Sequence, residues 1–111
     1  EMQNAIERAG DQDVLVINAI VYAEVAAGLD TVEVLDAALP EQIYRRDALP
    51  YEAAFLTGQA FRRYRQAGGA RRSPLPDFYI GAHAAVANLS VLTRDPAPYK
   101  SYFPRLVLVA P

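Results

Sequence analysis

The chain has 111 residues, 52% of them hydrophobic and 22% charged, enough for one domain with a real core over residues 1–111 and too few for two. Both charge signs are interspersed around a net charge of −2, which argues against disorder and makes any grip on nucleic acid depend on how positive charge is distributed. Cysteine is absent, removing disulfides, thiolate zinc sites and cysteine nucleophiles together; with no apolar run near the roughly 20 residues of a membrane span and no signal-peptide pattern, a soluble, cytoplasmic protein without a membrane partner is expected.

Glu1 to Ala9 places Met2, Ala5, Ile6 and Ala9 at helical spacing, which predicts a short helix stopped at Gly10. It reads as the body of a helix, not as a chain start, so the N-terminus is expected to be cut. Val14 to Ile17 is a continuous apolar run of the kind found in a parallel strand covered on both faces. Asn18 then suits an N-cap for a helix over Ala19 to Ala27, and Thr31 to Leu39 reads as another, capped by Asp30 or Thr31. Ile43-Tyr44-Arg45 predicts a short edge strand. Pro50 opens a helix through Ala67 with Ala54, Phe55, Gly58, Phe61 and Arg62 on one side. After an arginine- and proline-rich loop, Asp77 to Asn88 predicts a small-residue helix. Ser90 to Thr93 is a second buried strand, Asp95-Pro96-Ala97-Pro98 a turn, and Leu106 to Val109 a third strand. Strands separated by helices imply an α/β fold around a parallel sheet.

Three acids stand out. Between Asp13 and Asp30, Glu24 is the only charged residue, on a helix with little room for solvent; a buried carboxylate needs a cation, a hydrogen-bond network or a raised pKa. Asp77 sits where capping and the helix dipole already favour an acid. Asp95 precedes proline at a strand exit, ordinary turn chemistry, yet it lies past the carboxyl end of a strand, where α/β sheets place ligand crevices. Carboxylates without cysteine, and with His83 the only histidine, suit hard ions such as Mg2+ or Mn2+, whose usual chemistry is phosphoryl transfer. His83, six residues past Asp77, falls on a different helix face and is expected to serve packing or the surface. Arg62, Arg63, Arg65, Arg71 and Arg72 form the one basic cluster, offering phosphate contacts to RNA beside the acids.

The segments Ile17-Asn18-Ala19-Ile20-Val21-Tyr22-Ala23-Glu24, Leu75-Pro76-Asp77-Phe78-Tyr79-Ile80-Gly81-Ala82-His83-Ala84 and Leu92-Thr93-Arg94-Asp95 together resemble a PIN domain, and within that family the toxin of a VapBC-type toxin–antitoxin pair. The resemblance covers about Val14 to Pro111. It implies a three-layer α/β/α sandwich around a parallel sheet and a Mg2+- or Mn2+-dependent endoribonuclease with metal ligands Glu24, Asp77 and Asp95. It further implies Thr93 as a supporting residue, a cognate antitoxin protein and a homodimer. Family members open with a central strand carrying another aspartate, and nothing before Asp11 or Asp13 matches it. The first strand is therefore expected to be missing and the truncated chain inactive. The gap would be filled by a retained peptide, a second copy or rearranged strands. An inactive PIN scaffold that binds protein or RNA is the alternative. A receiver-like signalling module would need an acid pair at the first strand and a lysine near the last, and Lys100 is poorly placed for that.

Overall fold

Residues 5–9, 15–69 and 75–110 are described by a computed structural model. Along the chain the elements are β1 (Ala5–Ala9), β2 (Leu15–Ile17), α1 (Ala19–Ala26), α2 (Val32–Ala38), β3 (Tyr44–Arg46), α3 (Tyr51–Gln66), α4 (Leu75–Ala87), β4 (Leu89–Thr93), α5 (Ala97–Tyr102) and β5 (Leu108–Val109). Side-chain chemistry sets several of the boundaries. Asn18 caps α1 by accepting from two amides, and Thr31 caps α2 by accepting from Val34 N, each satisfying donors that a helix start leaves free. Gly68, with φ 94°, follows the end of α3, a backbone state in which a Cβ would be strained.

The sheet has the order β3-β2-β1-β4-β5. β2 pairs with β3, and β4 with β5, in parallel; β1 is antiparallel to both β2 and β4. Because both neighbours of β1 oppose it, β2 and β4 point the same way, and their carboxyl ends share one edge of the sheet. The α/β class is as the spacing predicts, but the sheet is mixed, not wholly parallel.

The helix predicted over Glu1 to Ala9 is overturned, since Ala5–Ala9 is the central strand. A helix of nine residues is marginal by itself, whereas a segment between β2 and β4 finds ladder partners on both sides, Glu7 standing opposite Val16 and Val91. Ala5–Ala9 thus occupies the centre of the sheet, between β2 and β4. This strand carries no aspartate, unlike the family pattern. Gly10, the predicted stop, lies outside the described residues.

Two further differences concern helices. On α3 the buried residues are Ala53, Thr57 and Ala60, while Tyr51 and Phe55 are exposed. Close approach to α4 requires small side chains, and the Thr57 hydroxyl donates to Ala53 O at 2.8 Å and lies 3.4 Å from Phe78 O on the partner helix, so Tyr51 and Phe55 are left outward. The turn at Asp95–Pro98 runs directly into α5, because proline is tolerated where a helix has no amide to lose. α5 packs on α4. A Cβ built on Gly81 would stand 2.7 Å from the Phe103 ring and 3.2 Å from Tyr99, so this glycine allows the approach that brings Tyr99 inward. Among the described residues no helix is long and apolar enough to cross a membrane.

Candidate functional site

The shared carboxyl edge of β2 and β4 is where the chain delivers its acids. Glu24 lies on α1, which leaves β2 through the Asn18 cap. Asp77 lies in the first turn of α4, a favourable place for an anion beside the helix dipole. Asp95 follows β4 by two residues. Its amide donates to Thr93 Oγ1 at 3.0 Å, the Thr93 hydroxyl stands 3.3 Å from Asp95 O, and Asp95 Oδ1 accepts from Ala97 N at 3.4 Å. Thr93, 4% exposed, therefore shapes the turn that presents Asp95, while Asp95 itself also starts α5.

Tyr99 is 1% exposed, its hydroxyl donates to Asp77 Oδ1 at 3.4 Å, and the charges of all three acids act on it. Burial pushes the Tyr99 phenol well above its ordinary range, and the charges of Asp77, Glu24 and Asp95 all push the same way. Burial raises Glu24, with the Asp77 charge adding to it. Burial also raises Asp77, against the Tyr99 hydrogen bond that lowers it and with the Asp95 charge raising it further. These side chains share one partly desolvated negative field. Among the described residues, however, no three carboxylate or imidazole groups stand close enough to hold a metal ion as they are placed.

The basic cluster is divided. Arg63 donates to Tyr102 O at 3.1 Å with its guanidinium 5.7 Å over the Tyr102 ring, Arg65 lies 5.7 Å over Phe61, and Arg62 is exposed. Arg71 and Arg72 lie outside the described residues. His83 is no surface residue: it is 1% exposed and hydrogen-bonded to Asn18. Sequence reasoning missed Tyr99, hidden in a segment read as a proline turn. The available signal was a tyrosine four residues past Asp95, one helical turn on, with both prolines placed at a helix start.

Fold and edge together define an α/β domain with a half-buried acidic site where its parallel strands end. The PIN domain family matches residues 2–103, and the chain belongs to that family, in general a nuclease fold. No curated protein matches the chain.

Proposed function

We propose that the protein is a metal-dependent endoribonuclease, the toxin component of a toxin–antitoxin pair, with Glu24, Asp77 and Asp95 as its metal ligands. The observation that carries this is that Glu24 and Asp77, both partly buried, are pushed up by burial and by neighbouring acid charge, Asp77 acting on Glu24 and Asp95 on Asp77, beside the buried Tyr99. The donor set fits Mg2+ or Mn2+, being all carboxylate oxygen, and half-buried like charges are what a divalent cation relieves. When bound, such an ion would polarise an RNA phosphodiester and acidify a water for in-line attack.

The chain's own residues hold the acids ready. Tyr99 keeps its proton and donates to Asp77, fixing one carboxylate oxygen, and Thr93 fixes the turn that bears Asp95. Arg62, Arg63, Arg65, Arg71 and Arg72 would take RNA phosphates beside the α4 N-terminus. Antitoxin and homodimer contacts are supported by the outward aromatic face of α3, with Tyr51 93% and Phe55 66% exposed, since exposed apolar clusters mark association surfaces.

An inactive PIN scaffold that binds RNA or protein is the second reading. It is favoured by the absence, among the described residues, of three acids close enough to hold an ion. Incubation of the full chain with RNA in Mg2+ and in EDTA separates the two. Cleavage in Mg2+ alone, abolished by Asp77→Asn, is the outcome of the nuclease reading and would overturn the expectation of an inactive chain drawn from the missing further aspartate; RNA binding without Mg2+-dependent cleavage would support the scaffold instead.

A further inference from the structure

Asn18 and His83 are polar side chains only 2% and 1% exposed, and they join two different helices. Asn18 Oδ1 accepts from Ile20 N at 2.9 Å and Val21 N at 3.0 Å, which assigns the oxygen end of the amide. The end facing His83 is then Nδ2, 3.1 Å from His83 Nδ1. An amide nitrogen has only hydrogens to offer. His83 Nδ1 must therefore accept, and the neutral ring carries its proton on Nε2.

Glu24 lies six residues beyond Asn18, and Asp77 lies six residues before His83. Since Asn18 touches His83 while Glu24 feels the charge of Asp77, α1 and α4 run antiparallel past each other. One end of this pair is tied by a buried hydrogen bond. The other end, about 9 Å further along each helix, carries two acids that repel. We infer that the Asn18–His83 pair is a positioning clamp for the carboxylate site, holding α1 against α4 so that Glu24 and Asp77 stay together, and that it works only with His83 in the Nε2–H form. The clamp acts through the two helices. It rests on the proposal that these acids bind an ion.

The full chain tests it by two readouts. Long-range nitrogen–proton NMR of the His83 ring should show Nδ1 as an unprotonated acceptor. Asn18→Asp keeps an α1 cap but removes the donor, so it should move the proton to Nδ1. Calorimetric titration with Mn2+ should show binding weakened roughly tenfold, as for other residues that orient ligands, in His83→Leu and in Asn18→Ser, whose shorter side chain keeps an α1 cap but cannot also reach His83. His83→Gln, which can still accept from Asn18 Nδ2, should recover most of the affinity. Should His83→Leu fail to fold, Asn18→Ser carries the same comparison. A wild-type ring protonated on Nδ1, or unchanged Mn2+ affinity in a folded clamp variant, overturns the clamp while leaving the metal site intact. A wild-type chain that binds no Mn2+ at all overturns the ion-site proposal, and the clamp's purpose with it.

Discussion

Two polar clusters where α1 passes α4 differ in kind. At one, Asn18 and His83 are almost wholly buried with matched donor and acceptor. At the other, Glu24 and Asp77 are partly buried acids that raise one another's cost beside Tyr99, whose hydroxyl reaches Asp77 only at 3.4 Å. A satisfied buried pair contributes stability and orientation; a set of partly desolvated like charges subtracts from stability unless something binds there. Where polar groups are fully matched they hold the structure. Where they are left mismatched at a sheet edge they mark the place for chemistry.

The largest effect should follow from breaking the matched pair. Asn18→Ala removes the α1 cap and leaves the His83 acceptor without its Asn18 donor, so a loss of about 2–4 kcal/mol is expected in urea unfolding. A cost below about 1 kcal/mol, the value of a cap alone, would mean the histidine contact adds nothing. Next comes the packing that delivers Tyr99. Gly81→Ala drives a methyl into the Phe103 ring, and about 1–3 kcal/mol should be lost, with the Tyr99 ring shifted in a crystal structure of the variant. An unchanged midpoint would show that Phe103 yields freely.

The mismatched cluster should respond with the opposite sign. Glu24 and Asp77 titrate above their unfolded values, so the fold binds their protons more tightly than the unfolded chain does. That contribution is fully present below the unfolded carboxyl values and is lost as pH rises through the folded ones. Asp77→Asn removes the charge that is penalised, so in EDTA at neutral pH it should melt higher than wild type, with the advantage vanishing in acid. A lower melting point at neutral pH would count Asp77 as a stabilising helix-start acid and no more. The smallest change is expected for Tyr99→Phe. Loss of a long hydrogen bond should cost about 0.5 kcal/mol, and because that bond lowers Asp77, the Asp77 carboxyl should titrate at a higher pH in carboxyl-detected NMR. A downward move would contradict the assigned bond.

Much of this was legible from local chemistry. Asn18 and Thr31 were readable as caps because their side chains act within three residues, and β2 and β4 because buried strands need unbroken apolar runs. β1 was not legible: Ala5, Ile6 and Ala9 have helical spacing, while the partner that decides the matter, Leu89–Thr93, is some eighty residues away. The buried face of α3 was not legible either, for another reason. Phe55 looks like core by hydropathy, but the tight approach of α4 selected Ala53, Thr57 and Ala60 by size. The acids could be singled out by Glu24's isolation in an apolar helix, yet their hub, Tyr99, depends on α5, whose prolines read as a turn.

The central question is whether the mismatched cluster is a site for a cation. Melting temperature in Mn2+ and in EDTA, for wild type and Asp77→Asn side by side, measures this directly, because an ion that binds only the folded state raises its stability. The prediction is a clear rise with Mn2+ for wild type and none for Asp77→Asn, so that the variant is the more stable protein in EDTA and the less stable one in Mn2+. An equal Mn2+ response in the two proteins, or no response in wild type, would contradict it.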